Sequence, residues 1–231
     1  MNFFRRVEQK YVLTEDEYKK LFNKIRENVE KDKYYQSTIC NLYFDNESND
    51  LIVKSLEKPI YKEKVRVRSY NIPEINDTVF LELKGKYDGV VFKRRVEVEL
   101  SELYKYIETG ELPNVSNKQI MKEIDYIIKR YDLKPKIYLA YDRLSFYDKN
   151  DINFRITFDS NLRSRNDNLK LEMGDGGKLY NGNKFYIMEL KSLGSIPLWF
   201  IKILSELKIY PKSFSKYGNI YCKNKEVYQN V

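Results

Sequence analysis

The chain has 231 residues, 42 % hydrophobic and 33 % charged, a balance that fits a globular core and excludes a disordered polypeptide. Lysine plus arginine (42) exceeds aspartate plus glutamate (34), a formal net charge of +8 that is consistent with an anionic partner such as nucleic acid, phosphate chains or a membrane surface. Histidine is absent, which excludes phosphohistidine intermediates, Ser-His-Asp chemistry and His-ligated zinc.

Strand character is expected from Phe3 to Val12. Thr14 and Glu17 then have capping-box spacing, with Leu13 and Tyr18 as a hydrophobic staple. The stripe Leu21, Phe22, Ile25, Val29 predicts a helix running to about Lys31. Thr38 to Asp45 reads as a strand ending in turn chemistry at Asn46 and Asp50. Strands follow over Tyr61–Tyr70 and Thr78–Gly85, and Asp88-Gly89 predicts a hairpin into Val90–Leu100. Ser101 is placed to cap a short helix ending near Gly110. A second helix, Lys118 to Tyr131, buries Ile120, Ile124, Ile127 and Ile128, before a strand from Lys136 to Phe146.

Ile152–Ser160 alternates, with Phe154, Ile156 and Phe158 on one face. Asn161 to Asn183 is polar and Gly-rich, which predicts a long hairpin or a mobile loop. Phe185–Lys191 is a further strand, and Pro197 opens a helix to about Lys208. The Trp199 helix is expected to pack on the core, with docking to a partner as its alternative. No repeat or linker divides the chain, so one domain is expected over residues 1–231. Met1 to Arg5 show no signal-peptide hydrophobic region, and Ile196–Lys202 is too short to span a bilayer. Cys40 and Cys222 belong to no CxxC pattern and read as free thiols in a reducing compartment. These features predict a soluble, cytoplasmic protein.

The strand faces carry the functional information. Lys62, Lys64, Arg66 and Arg68 are spaced by two and share one face. Such a row is costly unless something anionic neutralises it. Other polar faces present Glu8 and Lys10; Tyr43 and Asp45; Glu82 and Lys84; Lys93 and Arg95; Tyr141 and Arg143; Arg155, Thr157 and Asp159; Glu189 and Lys191. This content suits an α+β fold: a closed antiparallel β-barrel of about eight strands, a polar tunnel inside and helices packed outside. A tunnel so lined would hold a polyanion with a divalent metal, Mn²⁺ or Mg²⁺, on carboxylate and phosphate oxygens. A solvated sheet face with incidental salt bridges is the competing reading.

Nine motifs in order resemble a known family: Glu8-Gln-Lys10-Tyr11, Leu42-Tyr-Phe-Asp45, Lys64-Val-Arg66-Val-Arg68, Glu82-Leu-Lys84, Lys93-Arg-Arg95, Tyr141-Asp-Arg143-Leu-Ser-Phe146, Arg155-Ile-Thr157, Met188-Glu189-Leu-Lys191 and Phe214-Ser215-Lys216-Tyr217. They are similar to the VTC domain of polyphosphate polymerases, in its bacterial stand-alone form, within the CYTH-like triphosphate tunnel enzymes. The resemblance implies transfer of the γ-phosphate of ATP onto a growing polyphosphate chain. It implies Lys10, Arg66, Arg68, Lys84, Lys93 and Arg143 as ligands of triphosphate and chain, contacts from Tyr141, Ser215 and Lys216, and Glu189 as a metal ligand. Arg95 and Arg155 join the substrate-binding candidates from their polar faces, and Glu8 joins the metal candidates; Glu82, Glu97, Glu99 and Asp159 either face the lumen or pair with its cations.

Wider CYTH enzymes begin ExExK, whereas Arg6 stands where the first Glu would be, which disfavours a two-metal triphosphatase. ATP and polyphosphate are therefore the expected partners, and a membrane-protein partner stays open. A triphosphate hydrolase using water as acceptor, or a non-catalytic polyanion-binding module, are the alternatives. Nucleic acid is disfavoured because the 21 Tyr and 12 Phe form no interleaved stacking patch.

Overall fold

A computed structural model describes residues 6–183 and 185–229; Phe3 to Arg5 of the expected first strand lie outside them. In chain order the elements are β1 (Arg6–Thr14), α1 (Glu15–Ile25), β2 (Val29–Asp45), α2 (Asp50–Leu56), β3 (Tyr61–Tyr70), β4 (Thr78–Tyr87) and β5 (Val90–Glu99). Then come α3 (Leu100–Thr109), α4 (Lys118–Arg130), β6 (Lys134–Asp148), β7 (Asp151–Arg165), β8 (Lys178–Leu179), a 3-10 turn, β9 (Phe185–Leu193), α5 (Leu198–Glu206) and α6 (Lys216–Gln229).

The strands form an antiparallel sheet in the order β1-β9-β7-β6-β2-β3-β4-β5, with β8 paired to β7. The nine-stranded sheet with helices bears out the α+β expectation, but its closure is corrected. The hydrogen-bonded path begins at β1 and ends at β5, and no ladder joins those two among the described residues. Alternation reports which side chains share a face; it carries no information about whether two edges meet. As an edge, β5 carries Lys93, Arg94 and Arg95 in succession, the kind of charge that discourages edge pairing.

The chain divides into two compact units. Unit 1 comprises Met1–Ser37, Tyr141–Leu162 and Leu179–Lys216; unit 2 comprises Thr38–Ala140, Arg163–Lys178 and Tyr217–Val231. Each has its own core. In unit 1, Tyr11, Leu13, Phe154, Ile156, Phe158, Met188 and Leu190 from the strands pack on Leu21, Ile25, Phe200 and Leu204 from α1 and α5. In unit 2, Val65, Val67, Leu81, Leu83, Val96 and Val98 pack on Leu103, Met121, Ile124 and Ile127 from α3 and α4. These apolar sets leave the alternate, polar positions of the same strands on the other face.

Several expectations hold in detail. The Thr14–Glu17 capping box forms in both directions. Asp88 (φ 42°) and Gly89 (φ 81°) both turn left-handed, as the tight β4–β5 hairpin requires. Trp199 packs edge-on against Phe154 and Phe200 and donates its ring N–H to Asp148 at 2.7 Å, so it is part of the core.

Other expectations are corrected. The first helix stops at Ile25 and Val29 already begins β2, where Tyr34, Tyr35, Thr38 and Ile39 favour extended backbone. α3 starts one residue before Ser101, whose hydroxyl bonds Glu99 instead of capping the backbone. α2 replaces the turn expected at Asn46 and Asp50, and α6 is a helix that the sequence patterns do not predict. Asp45, expected on a functional face, spends its carboxylate on the N–H groups of Leu51 and Ile52 at the start of α2, both at 3.0 Å.

The Gly-rich segment after β7 is ordered by arginines. Arg165 donates to the carbonyls of Asn168, Lys170, Gly174 and Gly176 and stacks 3.6 Å over the Tyr138 ring, while Arg163 holds the Asp175 carbonyl at 2.7 Å. Side-chain donors substitute for the missing ladder, which backbone patterns in the sequence do not announce.

Candidate functional site

In unit 2 the register aligns the polar face in rows across four strands. Tyr43 lies opposite Arg66, Arg66 opposite Glu82, and Glu82 opposite Arg95. One step along, Lys64 lies opposite Lys84, and Lys84 opposite Lys93. One step the other way, Asn41 lies opposite Arg68, Arg68 opposite Phe80, and Phe80 opposite Glu97.

Glu82 is the hub. It is 1 % exposed and accepts from Arg66 Nε at 2.8 Å, Arg95 Nε at 2.7 Å and Lys93 Nζ at 2.6 Å. Burial alone would raise its pKa, but Arg66, Arg68 and Lys93 overcome that and hold it well below the usual carboxylate range. Arg66 also donates to the Tyr43 hydroxyl at 3.0 Å, and Arg68 to Asn41 Oδ1 at 3.1 Å. Arg95 lies 4.2 Å over the Phe80 ring.

This face carries a surplus of positive charge. Eight cations (Lys62, Lys64, Arg66, Arg68, Lys84, Lys86, Lys93 and Arg95) share it with the carboxylates of Glu82, Glu97 and Glu99, and Lys64, Lys84 and Lys93 stand in one row. Neighbouring groups register the surplus. Burial pushes Lys93 down, and the nearby Arg95 and Arg68 add to that, so the attraction of Glu82 does not restore it. Burial would raise the Tyr43 phenol, yet Arg66, Arg68 and Lys64 reverse the effect and bring it to about 8. Tyr70 is likewise lowered against its burial by Arg95 and Arg68. Three groups shifted in the same sense are the electrostatic signature of a cation-rich face.

A titration checks this. In the ultraviolet difference between wild type and Tyr43→Phe, one phenol is expected to ionise near pH 8, and inorganic triphosphate should bind more weakly above that pH, because the phenolate then occupies Arg66. A midpoint at the ordinary tyrosine value near 10 would contradict a cation-rich face.

Unit 1 presents a second, more neutral cluster. Asp159, fully buried, takes two hydrogen bonds from Arg143, at 2.6 and 2.8 Å, and a third from Lys216 Nζ at 2.7 Å. Beside them the Tyr141 ring lies 4.4 Å from the Lys216 ammonium and 5.4 Å from the Arg143 guanidinium. Burial would lower both cations, but Asp159 and Tyr141 raise them. Lys216 is the first residue of α6, where the helix dipole disfavours a cation, so its position depends on Asp159.

On the adjoining strands Lys10 lies opposite Glu189, and Glu8 opposite Lys191. Glu189 is held by Lys191 at 2.8 Å. Burial would raise its pKa, but Lys191, Lys10 and Lys216 lower it strongly. Glu8 pairs with Lys10 at 3.5 Å. Glu8 and Glu189 therefore share one face of neighbouring strands and offer the hard oxygen donors that Mg²⁺ or Mn²⁺ prefers. Among the described residues no group of three or more Asp, Glu, Cys or His side chains is arranged to hold a metal by itself.

The sequence-derived candidates thus fall into two sets. Arg66, Arg68, Lys84, Lys93 and Arg95 share the face in unit 2, and Lys10, Arg143, Tyr141, Lys216, Glu189 and Glu8 belong to unit 1. Ser215, half-buried, immediately precedes α6. Arg155 lies opposite Lys191 on the same strand face, but it is exposed and its ion-pair partner is Asp32 at 3.9 Å. Tyr43, Asn41 and Tyr70 were not singled out as site residues. Alternation placed Tyr43 and Asp45 on a polar face, but only the register reveals Tyr43 as the partner of Arg66 and Asn41 as that of Arg68.

The VTC domain family model matches residues 5–224. The chain belongs to the VTC domain family. Over 163 residues, 62 % of the chain, it is 23 % identical to vacuolar transporter chaperone complex subunit 4 of Schizosaccharomyces pombe, and it spans 22 % of that relative's length. Among solved structures, a Bacillus halodurans protein named for adenylate cyclase superposes with a TM-score of 0.56 at 14 % identity, covering 91 % of this chain and 93 % of that one. The PH1819 protein of Pyrococcus horikoshii does so with 0.51 at 18 %, covering 95 % and 99 %. These likenesses concern the fold. The VTC domain match agrees with the family suggested by the nine motifs. No helix of the described residues is long and apolar enough to cross a membrane.

Proposed function

We propose that this VTC domain, acting as a single module, is a polyphosphate polymerase that transfers the γ-phosphate of ATP to the end of a polyphosphate chain. The observation that carries the proposal is the surplus of cations on the β3-β4-β5 face, organised around the buried carboxylate of Glu82. Phosphoryl transfer asks little covalent chemistry of a protein, mainly in-line positioning and neutralisation of phosphate oxygens. Arg66, Arg68, Lys84, Lys93 and Arg95 supply that neutralisation. The two arginines tied to Glu82 are held in place before substrate arrives, so they need no reorganisation during the reaction.

The attacking group would be a terminal phosphate, anionic at neutral pH, so a chain without histidine lacks nothing the reaction needs. Arg143 and Lys216, braced by Asp159 against Tyr141, are proposed to contact the phosphate chain, with Lys10 and Ser215 adding contacts. A divalent cation on Glu189 and Glu8, when bound, would neutralise charge developing on the transferred phosphoryl group. Arg155, exposed and turned to Asp32, is given no role.

Incubation with ATP and Mn²⁺ or Mg²⁺, followed by gel electrophoresis, tests the reading. ADP accompanied by long chains supports it; orthophosphate without chains would transfer the site to a triphosphate hydrolase, and ATP binding without turnover to a polyanion-binding module.

A further inference from the structure

β3 carries a second chemical feature on its opposite face. Alternation that puts Lys62, Lys64, Arg66 and Arg68 on one side puts Glu63, Val65 and Val67 on the other, against the apolar core. Glu63 is 3 % exposed. Its Oε2 accepts from the Tyr61 hydroxyl at 2.6 Å, while its Oε1 is buried and meets no donor in full hydrogen-bond geometry, the Tyr131 phenol being the neighbouring one. A carboxylate so deep is ordinarily matched by a cation, and a buried oxygen without a well-placed donor is rare enough to need an explanation.

Glu63 also lines a cavity of about 400 Å³ between β3, β4 and α4. Leu83 and Ile127 form apolar walls, and the rings of Tyr61 and Tyr126 stand beside them. The phenols next to Glu63 respond to it: burial raises Tyr61 and Tyr131, and the carboxylate raises both further. At the rim, Glu123 is already held by Arg94 at 2.9 Å, and the exposed Lys122 is the one lining cation.

We propose that this cavity is a binding site for a small aliphatic amine, whose ammonium group bonds Glu63 and whose methylene stem lies on Leu83 and Ile127. The ammonium supplies the well-placed donor that Oε1 lacks, and aromatic faces attract the same charge. A hydrated inorganic ion would leave the apolar walls and rings without a partner, so an organic cation fits better. The site is separate from the phosphate chemistry on the other face of β3, and its test reads amine binding, so its failure leaves the polymerase reading intact.

The test is calorimetric titration of the full chain with 1,4-diaminobutane, with 1,4-butanediol as the neutral control. Binding of the diamine but not the diol is expected. Glu63→Gln should weaken the diamine at least tenfold, from loss of a charge-assisted hydrogen bond, while Lys122→Ala should tighten it by removing a like charge. Should Glu63→Gln fail to fold, Tyr126→Ala, which removes an exposed ring, serves in its place and should weaken binding severalfold. No binding by the wild type, equal binding of the diol, or unchanged affinity in whichever of these two weakening variants folds would overturn the proposal.

Discussion

Replacing Asp159 by Asn is expected to destabilise the protein by about 3–5 kcal/mol, the usual consequence of removing one partner from a buried ion cluster. Asn is nearly isosteric, so the loss is one of charge. Arg143 and Lys216, with 15 % and 13 % of their side-chain surface exposed, would be left without their carboxylate. Lys216 would in addition face the positive end of its own helix. A chain of this size should then melt roughly 6–20 °C lower.

The pH dependence gives an independent reading. Burial raises the Asp159 pKa, but Lys216 and Arg143 lower it below its ordinary value of 3.8. The stability it contributes is therefore complete above the unfolded value and lost as the pH falls through the lower, folded one. Melting curves taken from about pH 5 to pH 3 should fall for the wild type and fall less steeply for Asp159→Asn. An unchanged melting temperature in the variant would contradict a stabilising role for the cluster.

The second large effect is kinetic. Arg66→Ala is expected to lower turnover by about 10²–10³-fold, the range found when one preorganised charge donor is removed from a reacting oxyanion. Stability should change little. Glu82 retains Lys93 at 2.6 Å and Arg95 at 2.7 Å, so no buried charge is orphaned. Arg66→Lys should recover only part of the rate, because an ammonium cannot hold Glu82 and a phosphate oxygen through one planar fork. Glu189→Gln should abolish metal-dependent turnover and leave the melt close to wild type, since its partner Lys191 is 38 % exposed and readily solvated. Retained activity in both Arg66→Ala and Glu189→Gln would reject the site.

The parts of this site readable in the sequence are those that depend on one strand at a time. Lys64, Arg66 and Arg68 share a face because side chains alternate, and β3 obeys that rule from Tyr61 to Tyr70. Glu82 could be placed on a polar face by the same reasoning, and the Asp88-Gly89 hairpin sets Arg95 opposite it, but not as a hub, since Arg66 comes from β3, whose register with β4 no tight turn encodes. Asp45 shows the reverse error: alternation put it on the functional face, while a short helix five residues on claimed its oxygens. α6 escaped notice because Gly218 and the polar residues around Tyr217 and Ile220 blur its periodicity, so Lys216 was identified through a motif alone. Closure of the sheet was likewise beyond a reading of faces, because edges pair through backbone groups that every residue carries.

The central claim is that the acceptor of the γ-phosphate is another phosphate and not water. A ³¹P NMR time course with ATP, Mn²⁺-free Mg²⁺ buffer and a short polyphosphate primer tests it directly. The predicted result is loss of the γ-phosphate resonance matched by growth of the internal polyphosphate resonance, with ADP formed in equal amount. Growth of the orthophosphate resonance at the same rate as ADP, with the polyphosphate signal constant, would contradict it.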